Sequence, residues 1–263
     1  MRGRSVGKMT FYRGFPYRPF RPKCLSEIGE FRAAGALDWF FRFDGFLSDS
    51  VEKIGNEWLE DLLLVGSSKM INGDCLDVDS LPSVDVMRAA LACLSSSPIS
   101  SRSLLATYRI IMGKSAGFRI GQVWVGADNP NDAWYVAPPV EVLSELIRDV
   151  CIFCERDDYP IVFRAAVAMN QLLLIHPFLD RNGLMARLLL ISILNRKLSS
   201  PGFGVGVVRS FGEGHAQGLH ASFCAIKERG CWADFVALSE NVYLRTFLRC
   251  GVGKTDLSAN KSM

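Results

Sequence analysis

Ile175-His176-Pro177-Phe178-Leu179-Asp180-Arg181-Asn182-Gly183-Leu184-Met185-Ala186-Arg187 joins two apolar segments of a 263-residue chain, and its reading decides the fold. Upstream, Ile161 to Ile175 reads as a helix that runs into His176. Pro177 ends it, because proline lacks the N–H the next turn needs and restricts the residue before it. A second helix begins near Gly183 and covers Leu184 to Asn195. The turn between the two presents backbone N–H groups at a helix N-terminus, which is a ready anion site. His176 is a base whose ordinary pKa lies near neutrality. Asp180 can hold a divalent cation through oxygen, and Arg181 and Arg187 can pair with phosphate oxygens. Base, carboxylate, anion-binding turn and arginine together suggest phosphate-ester chemistry. From residue types alone an ordinary helix–turn–helix with a buried histidine and an Asp-Arg-Asn-Gly turn is the simpler reading and the favoured one.

Working outward, helical spacing dominates. Leu37 to Leu47, Val51 to Val65, Val84 to Leu94 and Leu104 to Met112 precede the turn, and Val140 to Cys154 leads to the pair that flanks it. His215 to Glu228 and Trp232 to Leu248 follow, while Ser199 to Gly206 reads as a Gly/Pro/Ser loop. The character changes once, between Gly113 and Pro139. There two β-prone runs, Gln122 to Val125 and Trp134 to Val136, flank the turn cluster Asp128 to Asp132 and predict a hairpin. The fold expected is an all-α helical bundle with one inserted β-hairpin, since a parallel α/β sheet would need several more β runs. The organisation expected is a basic aromatic arm over 1–34, a helical region over 35–100, a core over 101–245 and a polar tail over 246–263.

Composition narrows the function. Residues 1–26 hold seven of the 30 basic residues and no acid, which leaves 23 basic against 27 acidic residues elsewhere. The net charge of +3 therefore belongs to the arm, and the body argues against a surface that coats nucleic acid. Phe11, Tyr12, Phe15, Tyr17 and Phe20 alternate with that arm's arginines and prolines, as in an extended segment packing aromatics on a surface. No apolar run reaches the roughly 18 residues that span a bilayer, and the arm lacks the apolar stretch of a secretory signal. Eight cysteines at irregular spacing, mostly beside apolar residues, fit free thiols in a reducing, cytoplasmic setting. Cys151 and Cys154 form a C-x-x-C inside a helix, read as helix residues with one facing the core, because no partner pair completes a zinc site.

The turn resembles the signature of the Fic/Doc family, His-Pro-Phe-x-(Asp/Glu)-Gly-Asn-Gly-Arg-x-x-Arg, at His176, Pro177, Phe178, Asp180, Asn182, Gly183 and Arg187. It departs at Arg181, where the family has Gly, and at Leu184, where it has Arg. Phe118 to Gly126 with Val136 to Pro139 is similar to the family's flap hairpin, and Arg119 sits where that flap carries an arginine. Gly230-Cys231-Trp232 resembles the family's Gly-Asp-Trp helix start, and Leu219-His220 falls where a tyrosine pair often lies near the nucleotide; His215 and His220 themselves read as surface or core histidines.

The resemblance implies a protein adenylyltransferase that moves AMP from ATP to a hydroxyl of a target protein. His176 would take the hydroxyl proton, and Asp180 would hold Mg²⁺. Phe178, Arg181, Asn182, Gly183 and Arg187 would form the nucleotide site, the backbone around Asn182 and Gly183 cradling phosphate. Gln122, Val123, Trp124 and Val125 would pair with an extended target segment by strand addition. A nucleotide and a target protein are the partners expected, with a homodimer left open. Ser68-Lys69-Met70-Ile71-Asn72-Gly73 resembles the family's inhibitory motif, with Asn72 in place of its glutamate. The departures carry their own expectations. If the backbone at 181 needs φ > 0, arginine there costs on the order of 1 kcal/mol relative to glycine. Leu184 removes a charged phosphate ligand worth roughly 1.5–3 kcal/mol, unless Arg181, three residues earlier, reaches the same phosphates. A catalytically weak binding module is the alternative reading.

Overall fold

The computed structural model describes residues 10–12, 15–17, 22–23, 25, 28, 37–50, 82–198, 201–212 and 215–249. Ser68 and Asn72 of the proposed inhibitory motif lie outside the described residues, as does the expected helix over 51–65.

The fold is mostly helical with one small hairpin in the core, as the spacing predicts. The arm contributes a three-residue pair, β1 (Thr10–Tyr12) and β2 (Phe15–Tyr17), paired antiparallel. α1 (Asp38–Ser50) buries Phe40, Phe43 and Leu47 on one stripe, with Asp44 beside them. The Phe40 ring meets Phe163 edge-on at 5.2 Å. α2 (Val84–Ser95) starts where the Ser83 hydroxyl accepts the Val86 N–H at 3.3 Å. α3 (Ser101–Met112) starts three residues before the predicted Leu104, because Ser100 and Ser103 form a reciprocal capping box.

β3 (Trp124–Val125) and β4 (Tyr135–Val136) form the second hairpin, in the register Trp124 with Val136 and Val125 with Tyr135. A short 3₁₀ turn then leads into α4 (Leu143–Cys154). α5 (Ile161–Ile175) and α6 (Asn182–Leu198) pack on each other more extensively than any other described pair. Both are apolar almost all round, which is the mark of helices buried on every side. α4 covers α5, α2 covers α6, and α1 lies against both. Asp44 of α1 ties these ends together: its Oδ2 accepts the Ile161 N–H at 3.1 Å, at the start of α5, and pairs with Lys197 Nζ of α6 at 2.9 Å.

The predicted loop over Ser199 to Gly206 is instead largely helix: α7 runs over Pro201–Gly212. Pro201 stands at its first position, where a missing N–H costs nothing. Its glycines serve close packing, not flexibility. A Cβ on Gly204 would lie 3.2 Å from Ile191 Cα of α6, and one on Gly206 would lie 3.0 Å from Thr246 Cγ2. Composition signalled a breaker where the packing requires the absence of a side chain. α8 (Ala216–Arg229) and α9 (Ala233–Arg249) complete the bundle, with α9 packed on both α7 and α8. Among the described residues no helix is long and apolar enough to cross a membrane.

Candidate functional site

The site is built on the six residues that connect α5 to α6. His176 leaves the helix in a left-handed conformation, φ 51° and ψ 58°, immediately before Pro177. Its N–H still donates to Leu172 O at 3.0 Å, so the ring is fixed at the helix end. His176 Nδ1 lies 3.4 Å from Leu173 O. A ring protonated on that nitrogen leaves Nε2 with its lone pair. Burial is the main cause that pulls the His176 pKa down to about 4, with the Arg119 charge acting in the same direction and the Leu173 carbonyl and Asp180 opposing it. The ring is therefore neutral at pH 7 and able to accept a proton.

Phe178 is fully buried beneath the turn, stacked on Tyr108 at 3.9 Å and on Phe118 at 5.3 Å. Its side chain anchors the turn in the core. The Asn182 amide closes the loop above it: Oδ1 accepts the Phe178 N–H and Nδ2 donates to Phe178 O, both at 2.9 Å. Tyr108, two helices away in sequence, is hydrogen-bonded by the Asp180 backbone; burial pushes its pKa up. Nothing in the local sequence marks Tyr108 as part of the turn, because the relation is one of tertiary packing.

Arg181 has φ 60°, the conformation in which a glycine would be unstrained. Its N–H donates to Asp180 Oδ1 at 2.6 Å, and its Nε lies 3.6 Å from Asp180 Oδ2. The Asp180 side chain is 61% exposed and that of Arg181 only 10%. α6 then begins, its first intrahelical bond running from Met185 N to Arg181 O at 2.9 Å. The N–H groups of Asn182, Gly183 and Leu184 belong to the first turn, which has no acceptor within its own helix. A Cβ on Gly183 would lie 3.5 Å from an Arg187 Nη, so that guanidinium rests against the opening turn of α6. Arg187 is buried, and burial lowers its pKa to about 10. It remains charged at neutral pH. Leu184 is buried in the hydrophobic core.

One buried arginine joins this turn to the hairpin. Arg119 donates from Nε to His176 O at 2.8 Å, from one Nη to Gly121 O at 3.0 Å and from the other to Pro138 O at 2.5 Å. Its backbone N–H donates to Pro177 O at 2.9 Å. Gln122 and Val123 lead into the hairpin, and Trp124 and Val125 form its first strand. Ala137 N donates to Val123 O at 3.0 Å, and Gln122 Nε2 donates to Ala137 O at 2.6 Å. Trp124 Nε1 donates to Ala127 O at 3.0 Å. Ile120, between Arg119 and this strand, is 93% exposed. The far strand is held to the bundle: the Tyr135 hydroxyl donates to Leu174 O, and Lys227 Nζ donates to Trp134 O at 2.7 Å. His220 of α8 is exposed and lies 5.2 Å from the Trp134 ring, while Leu219 is buried.

Asp180, the expected metal ligand, presents its carboxylate 61% exposed beside Arg181. Among the described residues no group of three or more His, Cys, Asp or Glu converges, and both Asp180 oxygens face Arg181. Cys151 and Cys154 are both buried, where one was expected to face the core, and burial pushes the Cys151 thiol up to about 12. Both remain protonated packing residues.

Residues 98–194 match the model of the Fic/DOC family. That stretch runs from just before the cap of α3 through the hairpin to Leu194 within α6 and contains the whole turn. Among solved structures, the chain is similar to Fic-1 from C. elegans at 20% identity and TM-score 0.54, over 90% of this chain and 76% of that one. It is also similar to a Fic family protein from Desulfovibrio desulfuricans G20 at 18% identity and TM-score 0.54, over 92% and 80% of the two chains. A search of curated proteins returns no match. Residues 98–194, which carry the turn and the hairpin, are thus similar to the Fic/DOC family, and the helical fold around them is shared with solved Fic structures.

Proposed function

We propose that this protein transfers AMP from ATP to a hydroxyl of a target protein, with His176 as the base. The observation that carries the reading is the turn itself. A neutral histidine stands at one end of a six-residue turn clamped by Asn182, and at the other end the charged, buried Arg187 rests against the first turn of α6. In the transfer, His176 Nε2 accepts the proton of the target hydroxyl as its oxygen bonds to the α-phosphorus, and pyrophosphate leaves. Arg187 and the N–H groups of Asn182 and Gly183 bind the phosphates. Arg119 keeps His176 and the hairpin in register, and the hairpin edge at Gln122 to Val125 takes an extended target segment.

A second reading, a catalytically weak binding module, is favoured by two particulars. Leu184 is buried in the core instead of carrying a charge toward the site, and Arg181 lies against Asp180. The deciding experiment is transfer of label from α-labelled ATP to protein, comparing wild type with His176→Ala. The adenylyltransferase reading expects label in wild type and loss of at least about a hundredfold in the variant, the lower range for removing a general base. Absence of label from wild type with ATP, GTP, CTP and UTP, in lysate that supplies targets, leaves only the binding module.

A further inference from the structure

We infer that Arg181 takes the place of a divalent cation at Asp180, so that this chain binds nucleotide phosphates without requiring Mg²⁺. The inference rests on the nucleotide-binding reading above. Three observations bear on it. First, the Asp180 carboxylate lies against one residue: Oδ1 accepts the Arg181 N–H at 2.6 Å, and Oδ2 makes a looser ion pair with Arg181 Nε at 3.6 Å. Second, Arg181 is held there. Its backbone is fixed at φ 60° and its side chain is 10% exposed, so it does not sweep freely through solvent as a surface arginine does. Third, among the described residues no group of three or more His, Cys, Asp or Glu forms a cation site ready-made from protein ligands.

The chemistry follows from charge and geometry. Mg²⁺ in phosphate sites takes one or two protein carboxylates together with substrate oxygens and several waters, in a tight octahedron. Here it has one carboxylate, already facing a cation. An ion bound to Asp180 would lie beside the Arg181 guanidinium, and like charges at that range oppose each other. The two cations are alternatives at one site. The guanidinium carries several donors in a planar fork suited to phosphate oxygens, so one group can both offset the carboxylate and bind the ligand. The arginine missing at 184 is thus not simply displaced to 181, because its new position also competes with the metal.

Calorimetric titration of ATP into the full chain, with Mg²⁺ or with EDTA, tests this in wild type, Arg181→Gly and Arg181→Gln. Circular dichroism verifies that the variants are folded, and the neutral Gln separates the loss of charge from the change at φ > 0. Wild type is expected to bind within about threefold in either buffer. The variants are expected to bind at least about tenfold more weakly in EDTA, the loss of a charge-assisted contact, and to recover with Mg²⁺. A wild-type affinity that falls tenfold or more in EDTA overturns the inference while leaving the nucleotide reading intact. So do variants whose metal dependence equals that of wild type. If wild type binds ATP in neither buffer, the inference fails. In that case binding by Arg181→Gly with Mg²⁺ retains the nucleotide site with Arg181 as a block, and its absence removes the nucleotide reading as well.

Discussion

His176 is poised by burial more than by any partner. Its pKa of about 4 lies below the ordinary 6.5, so the folded protein binds fewer protons than the unfolded chain between those values. Stability therefore rises with pH across that window and is lost as the pH falls from about 6.5 toward 4. The same shift keeps the base neutral, so the acid limb of any transfer activity lies well below that of a free imidazole. The chain has three histidines, so an NMR titration of their ring carbons assigns each one. We expect His176 to titrate last on acidification, near pH 4, and His176→Asn to flatten the stability slope between pH 4.5 and 6.5. A His176 midpoint above 6 contradicts this. At this scale the sequence was informative where chemistry is local. The family's glycine raised the question of φ > 0 at position 181, and Arg181 stands at φ 60°. The Asn182 clamp on Phe178 was not legible, because it depends on how the turn closes and not on residue type.

Arg119 decides how the hairpin relates to the helices. It is a buried cation whose partners are carbonyls of three segments: the end of α5, the start of the hairpin and its exit. Burial pushes its pKa down, but it is offset by acceptors that a guanidinium fork alone can reach together. Replacing it with methionine leaves those carbonyls buried without donors, at about 1–3 kcal/mol each before relaxation. Arg119→Met is expected to lower stability by several kcal/mol. In the variants that remain folded, hydrogen exchange is expected to speed up at Ala137 and around His176. Arg119→Lys should rescue little, because one ammonium cannot span three acceptors. Full protection in Arg119→Lys would show that charge, not the fork, holds the hairpin. From sequence this arginine was one weak match before a strand. Its weight becomes visible only when Pro138 and His176, distant in sequence, converge on it. α7 makes the opposite point, since its Gly and Pro content reads as a loop until Ile191 and Thr246 are placed against it.

The charge division between a basic arm and a mildly acidic body suggests at first that the arm is held, if at all, by electrostatics. The contacts at its end argue otherwise. Leu25 is 1% exposed and belongs to the main core, with Pro22 and Ile28 also buried. The Leu25 N–H donates to Asp149 Oδ2 at 2.6 Å, and Gln171 Nε2 donates to Lys23 O at 3.2 Å. Backbone groups of the arm, not its cationic side chains, make these bonds. Lys23 contributes its carbonyl to the fully buried Gln171 of α5, the helix that ends in His176. Attachment by apolar burial and backbone hydrogen bonds is insensitive to salt, whereas attachment by exposed charge weakens beyond a Debye length of about 8 Å at physiological ionic strength. Leu25→Ala is thus expected to cost about 2–5 kcal/mol, the range for emptying a buried leucine site. The loss, measured by urea unfolding, should be the same in 50 mM and 500 mM NaCl. A loss below about 0.5 kcal/mol, or one that shrinks markedly in high salt, would mean that charge secures the segment and that the core closes without it.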